Sequence, residues 1–213
     1  MSVTPDTLVV ATGNAHKLRE IREILAGDGV HIVGLQTAGP VPEIIEDGDT
    51  FEANAAKKAR TVALALGCWA LGDDSGLEVT ALNGAPGVFS ARFAGPAADT
   101  AANNALLLER LAGVADRSAR FRCAIALSTP AGDVDVVDGA CSGRILCASR
   151  GCNGFGYDPL FVPVGHGRTF AELTAGEKHA ISHRGRALVR ARAAWWRNGR
   201  VTLPGVALPA RHS

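Results

Sequence analysis

Lys17 closes the run Thr12-Gly13-Asn14-Ala15-His16-Lys17, which sits between a short apolar stretch, Leu8 to Ala11, and a segment in which Leu18, Ile21 and Leu25 repeat at helical spacing. A strand that gives way to a helix through a glycine turns backbone N–H groups and the positive end of the helix dipole toward an anion. A lysine adds a full charge, so the run suits a phosphate. Its spacing is not that of a P-loop, and an ordinary glycine turn with a solvated lysine would have the same residue types. A second group is acidic. Glu46 lies in a proline-bearing acidic loop from Pro40 to Asp49, and Asp73 and Asp74 follow the apolar run Cys68 to Leu71. Magnesium takes hard oxygen ligands, often only one or two carboxylates plus substrate phosphates, so these three acids suffice for a site. A turn in which both aspartates bond nearby amides is the alternative. Neighbouring side chains on extended backbone point opposite ways, so one aspartate is expected to face a metal while the other braces the loop.

A third group is Phe155-Gly156-Tyr157-Asp158, where glycine lets backbone approach a flat ligand and either Phe155 or Tyr157 can stack on a base. Packing of those rings into a core loop would account for them equally well. Lys178, Ser182, His183, Arg184 and Arg186 form a fourth group, suited to an anion or a keto oxygen, against a solvated basic helix face as the alternative; Arg190 and Arg192 are left to that face. Each group alone is ambiguous. Together they supply a phosphate cradle, a metal site, a stacking platform and cationic donors, the parts of a site for phosphoanhydride hydrolysis of a nucleotide.

The elements needed to position these groups follow from the pattern of the chain. After the first strand and helix, a second strand is expected at Val30 to Leu35, and Asp49 with Glu52 reads as the cap of a helix running to about Leu66. The strand at Cys68 to Leu71 is expected to stop at Gly72, which places Asp73 and Asp74 at a strand end or turn. A glycine- and proline-rich connection follows from Asn83 to Gly95, and then a helix capped by Asp99 or Thr100 and ending at Leu111. Phe121, Cys123, Ile125 and Leu127 alternate as in a half-buried strand and form a hairpin with Val134 and Val136 across the turn Pro130 to Gly132. The last third holds a helix from about Glu177 or Ser182 to Trp196, and a tail with scattered Pro and Arg that reads as disordered. Strands alternating with helices, plus a hairpin, predict an α/β fold with a mixed sheet.

The bulk properties limit the partners. With 213 residues, 47% of them hydrophobic, the chain has material for one sizeable core and is read as a single domain with two lobes. Its 22 basic and 21 acidic residues give a net charge of +1, so no global field draws it to nucleic acid or to a membrane. The five cysteines, Cys68, Cys123, Cys141, Cys147 and Cys152, are odd in number and include no CxxC pair, which points to reduced thiols in a cytoplasm. No basic region precedes an apolar N-terminal stretch. The longest apolar segment, Thr61 to Leu71, falls far short of the roughly 20 residues of a membrane span.

Five ordered motifs, TGNAHK at Thr12, DDSGLEV at Asp73, GAPGVFSARFAG at Gly84, GFGYDPLF at Gly154 and KHAISHRGRAL at Lys178, give the chain a resemblance to the inosine/xanthosine triphosphate pyrophosphatases from Leu8 to about Leu188. The resemblance implies an elongated mixed β-sheet flanked by helices, two lobes with a central nucleotide cleft, and a homodimer. It also implies Mg²⁺-dependent hydrolysis of inosine, deoxyinosine and xanthosine triphosphates to monophosphate and pyrophosphate, which clears the nucleotide pool. By position, Asp74 would be general base and metal ligand, Glu46 a second metal ligand and Ser75 a substrate contact. Thr12, Gly13, Asn14, Ala15, His16 and Lys17 would hold triphosphate, and Phe155, Gly156, Tyr157, Asp158, Lys178, His183 and Arg184 would line the base and sugar pocket.

A preference for a 6-keto purine fits donors aimed at O6, which an adenine amino group would leave unmet; His183 and Arg184 are the residues expected to supply them. The chain departs from the family where Glu52 stands one residue further from Asn54 than usual. That shift turns a helical side chain by about 100° and takes Glu52 out of the metal set. Ser149 replaces a usual proline, and Ala140 and Cys141 fill a position often held by tryptophan; these changes are expected to touch packing. Two rivals remain: a related pyrophosphatase of the septum-inhibitor type for modified pyrimidines, which the SHRGRAL segment disfavours, and a non-catalytic nucleotide or nucleic-acid binder with strongly salt-dependent affinity.

Overall fold

The computed structural model describes residues 7–26, 30–97 and 99–196. Strand β1 (Thr7–Val10) carries Leu8, Val9 and Val10, all fully buried, and leads through Thr12 and Gly13 to helix α1 (Ala15–Ile24). Asn14 caps that helix, its side chain accepting from the amides of His16 and Lys17. Strand β2 (His31–Gly34) then runs parallel to β1, and the short helix α2 (Leu35–Ala38) leads into the irregular acidic segment.

Helix α3 (Phe51–Leu66) begins one residue later than the sequence signal suggests. Thr50, not Asp49, is the cap, with its side chain accepting from the Ala53 amide. The helix ends at Gly67 in the left-handed conformation, φ 61°, where a residue without Cβ carries no steric penalty. Strand β3 (Trp69–Val79) corrects a second expectation. It continues through Gly72, Asp73, Asp74 and Ser75 instead of stopping there, so both aspartates lie in mid-strand, and it pairs parallel with β1. The segment from Thr80 to Arg92 is two short 3₁₀ turns, and helix α4 (Thr100–Arg110) follows from its cap at Asp99.

Strands β4 (Ser118–Ser128) and β5 (Val134–Ile145) are joined by a turn closed by the Thr129 amide on the Asp133 carbonyl, 2.9 Å. The alternation expected along β4 holds only in its first half; from Cys123 to Ser128 every residue is buried. Strand β6 (Phe161–Pro163) is antiparallel to β5 and completes a mixed sheet of order β2-β1-β3-β4-β5-β6. The single C-terminal helix of the sequence reading is two helices, α5 (Ala175–Ile181) and α6 (His183–Ala191). They are separated at Ser182, whose ψ of 159° is extended, and a short π-helical turn at Arg192–Trp196 ends the described chain. The tail read as disordered lies outside the described residues.

Among the described residues the chain divides into two compact units, the first drawn from 7–74, 124–138 and 186–196, the second from 75–123 and 139–185. The first has a core of small and branched side chains, including Val9, Ala11, Val62, Ala63 and Ala70. The second has an aromatic core in which Phe121, Phe161 and Phe170 pack with centroids 4.8 to 5.8 Å apart. The architecture is α/β with a mixed sheet.

Candidate active site

In the first unit the site is built where α3 lies against β3. Gly72 permits this approach, because a Cβ there would collide with the Ala55 carbonyl and come within 3.0 Å of the Ala59 nitrogen. Asn54 and Lys58, four residues apart on one face of α3, are thereby brought to the aspartates that follow Gly72. Lys58 Nζ lies 2.8 Å from Asp74 Oδ1 and 2.9 Å from Glu46 Oε2. Lys17 Nζ lies 2.8 Å from Asp73 Oδ1, and Asp73 is fully buried. The two adjacent aspartates thus take different lysines, as the alternation of a strand requires.

Three further contacts hold the acidic segment to α3. Asn54 Oδ1 accepts from the Gly48 amide (2.8 Å), Asn54 Nδ2 donates to the Gly48 carbonyl (3.2 Å), and Lys57 pairs with Asp47 (2.6 Å). Asn54 Nδ2 also lies 3.4 Å from Asp74 Oδ2, so one amide fixes both the loop bearing Glu46 and the aspartate. Burial pushes the Asp74 carboxyl up by more than Lys58 and Lys17 lower it. For Glu46, burial is outweighed by the ammonium of Lys58, and the carboxyl is held below its usual range. Burial opposes the charge on Lys58, but Asp74 and Glu46 outweigh it and raise the ammonium's pKa.

Thr12 to Lys17 borders this cluster differently from the simple cradle expected. The amides of His16 and Lys17 are given to Asn14 Oδ1 at 2.9 and 3.2 Å, and the Asn14 amide to Thr12 Oγ1 at 3.1 Å. A phosphate would have to compete with the cap for these donors. A cavity of about 340 Å³ opens beside the run, lined among others by Thr12, Gly13, Glu46 and Lys58.

The second unit gathers the remaining candidates. Asp158 Oδ2 accepts from the Phe155 amide (2.8 Å) and from Lys178 Nζ (2.6 Å), with Asp158 and Lys178 both buried. A side chain at Gly154, φ 71°, would strike the same carboxylate, so the turn needs glycine on two counts. Lys178 Nζ stands 5.0 Å from the centre of the Phe155 ring and the Arg184 guanidinium carbon 5.8 Å, a two-cation setting for one half-buried ring. Arg184 Nη2 donates to Ser75 Oγ at 2.8 Å.

The other two rings have structural partners. Tyr157 is buried, donates to the Ser90 carbonyl at 2.8 Å, and has its phenol pKa pushed up by burial. Buried His183 stacks on Phe121 with centroids 4.7 Å apart. Of the two rings open as stacking platforms in the sequence, Phe155 is the one with partial exposure. Asn104 Nδ2 also holds the Gly156 carbonyl, at 3.1 Å.

Asn54 and Lys58 were absent from the sequence candidates, although their signal was present: two polar residues at helical spacing on the face of α3 that buries Ala55, Ala59, Val62 and Ala63. Among the described residues no group of three or more His, Cys, Asp or Glu side chains is arranged to hold a metal. Glu46 and Asp74, however, converge on one ammonium, and two hard carboxylates with phosphate oxygens are a sufficient magnesium set. Two lysines against three carboxylates leave this cluster one negative charge in excess, which a triphosphate would meet unfavourably without a further cation.

The chain is similar to known proteins along most of its length. A family model described as the Ham1 family matches residues 8–194. A dITP/XTP pyrophosphatase of Syntrophobacter fumaroxidans is 55% identical over 182 residues, covering 85% of this chain and 78% of the relative. One from Desulfotalea psychrophila is 52% identical over 186 residues, covering 87% and 83%. The solved structure of the Staphylococcus aureus Ham1 protein superposes with a TM-score of 0.81 at 38% identity, over 92% of this chain and all of that one (100%).

Proposed function

Because this chain belongs to the Ham1 family, we propose that it hydrolyses the triphosphates of deaminated purines, inosine, deoxyinosine and xanthosine triphosphate, to the monophosphate and pyrophosphate. The observation that carries this activity to particular atoms is the pairing of Lys58 with Glu46 and Asp74 beside Lys17 and Asp73. Glu46 and Asp74 are the residues that would hold Mg²⁺, whose charge would neutralise phosphate oxygens in the transition state. Lys17 and Lys58 bind phosphate oxygens, with Thr12 and Gly13 shaping the wall of the cavity and Asn14, Ala15 and His16 continuing the triphosphate-binding run.

Asp74 accepts the proton of the attacking water; the water oxygen bonds to phosphorus, the α–β anhydride bond breaks, and its electron pair leaves on pyrophosphate. A carboxyl raised by burial is a better proton acceptor than a solvated one. Asn54 orients that carboxylate, while Phe155 stacks on the base and Arg184 donates to a keto oxygen. Asp158, Lys178, Ser75, Gly156, Tyr157 and His183 complete or support the base and sugar side. Clearance of damaged nucleotides by a cytoplasmic homodimer belongs to the same proposal and is supported by the resemblance.

The test is pyrophosphate release from inosine, xanthosine, adenosine and guanosine triphosphates, with magnesium and with chelator, by wild type and Asp74→Asn. The proposal expects selective, metal-dependent release that falls at least about 100-fold in the variant, the lower end of what one general base contributes. Release from no nucleotide by folded protein would point instead to a non-catalytic binder, and near-normal turnover by Asp74→Asn would remove Asp74 as the base.

A further inference from the structure

Lys58 stands where an ion shared by Glu46 and Asp74 would stand. Its ammonium is within 2.9 Å of an oxygen from each, and its side chain is 7% exposed. Magnesium needs oxygens at about 2.0 to 2.1 Å, so an ion bound by both acids and an undisturbed ammonium would compete for the same lone pairs at strongly repulsive range.

We propose that Lys58 is the resident cation of this site, so that the nucleotide-free protein binds divalent metal weakly and the ion enters together with the nucleotide. The inference rests on Glu46 and Asp74 being the metal ligands of the proposed reaction. As the ion takes the carboxylates, the phosphates take the ammonium. Each charge exchanges one partner for another, which avoids the cost of leaving a buried ammonium without a counter-ion.

Two features make the exchange possible. Lysine carries its charge on a flexible four-carbon stem, and Lys58 already borders the cavity shared with Thr12 and Gly13, so phosphates there are within reach of a rotamer change. The loop that bears Glu46, and Asp74 itself, have holds besides Lys58. Asn54 keeps hold of Gly48 and Asp74, and Lys57 keeps hold of Asp47, when the ammonium leaves. A lysine that only braced the loop would not be duplicated in this way.

The experiment is a titration of nucleotide-free protein with Mn²⁺, followed by the loss of the free-ion paramagnetic resonance signal, on wild type, Lys58→Gln, Lys58→Arg and the double variant Lys58→Gln with Glu46→Gln. Removing a unit charge from beside the ion should tighten binding at least about tenfold in Lys58→Gln. Lys58→Arg should stay as weak as wild type, and the double variant should lose the gain. Lys58→Met, which keeps the stem without the charge, provides the same comparison if Lys58→Gln melts early.

Mn²⁺ bound no more tightly by a folded, uncharged variant than by wild type would overturn the proposal, as would a gain that survives Glu46→Gln. Such a result beside normal magnesium-dependent turnover by wild type would sink the resident-cation role alone. Absence of turnover in wild type would instead count against the proposed function.

Discussion

Arg184 is 1% exposed, packs its guanidinium toward the Phe155 ring and donates to Ser75. In the proposed reaction a planar fork held this firmly would discriminate by hydrogen-bond polarity: a C6 keto oxygen would accept from it, whereas an amino group offers only donors and would leave the arginine unmet. Arg184→Ala is therefore expected to lower kcat/KM for inosine triphosphate by roughly 10- to 100-fold more than for adenosine triphosphate, the range of one charged hydrogen bond. Equal losses on both nucleotides would show that Arg184 does not read the base.

His183, paired with Arg184 in the sequence reading, lies in the aromatic core against Phe121. His183→Ala should consequently lower the melting temperature while reducing both activities alike, and a selective loss would show that His183 reads the base as well as supporting its pocket. What was legible at this scale was residue type: a lysine after a glycine turn, paired acids, an aromatic between glycines. Partnership was not, because Lys17 meets Asp73 across 56 positions of sequence and Lys58 meets Glu46 and Asp74 through tertiary packing alone.

At the scale of elements, the helices read best because their caps are local chemistry. Asp99 on α4 was read in this way; the capping box of Thr174 with Glu177 on α5 is as local but went unread. Strand β3 read worst. Glycine, two aspartates and a serine have turn propensity, and they are carried in a strand whose start, Trp69 to Leu71, pairs with β1 and which lies beside β4 in the sheet, while lysines compensate the buried carboxylates. The break at Ser182 was half legible: the sequence marks Ser182 as one of two starts for a single helix, but not that a helix lies on either side of it, with the extended ψ of Ser182 turning the chain between Lys178 and Arg184.

The contact of α3 with β3 is an element-scale feature with an element-scale test. Gly72→Ala would press a methyl group into the backbone of α3, a collision of main chain with main chain that no rotamer relieves. It should destabilise by about 1 to 3 kcal/mol, measured by urea unfolding. Unchanged stability would mean that helix and strand can separate at little cost.

For the whole molecule, a net charge of +1 spread over 213 residues gives no field that would gather polyanions. Among the described residues no helix is long and apolar enough to cross a membrane. The chain forms two compact units, each with its own core, and the candidate residues divide between them: Thr12 to Lys17, Glu46, Asp73 and Asp74 in the first, Ser75, Phe155 to Asp158, Lys178, His183 and Arg184 in the second. Fluorescence anisotropy with a labelled 20-mer of single-stranded DNA at 150 mM salt, a generic condition for nonspecific binding, should show no association at protein concentrations of roughly 10 μM. Tight binding whose affinity falls steeply with salt would favour the regulator reading.

Asp73, Asp74 and Ser75 are consecutive in one strand, with the boundary between the units falling directly after Asp74. Because a strand alternates its side chains with a period of two, inserting or deleting one residue just upstream would exchange the faces served by the two acids and shift the serine with them. This stretch can change over generations by substitution but not by length. It behaves like a reading frame, whereas a segment that carries neither ladder nor site residue can absorb an extra residue. Descendants of this protein should accordingly vary their loops freely while inheriting the spacing around Asp74 intact.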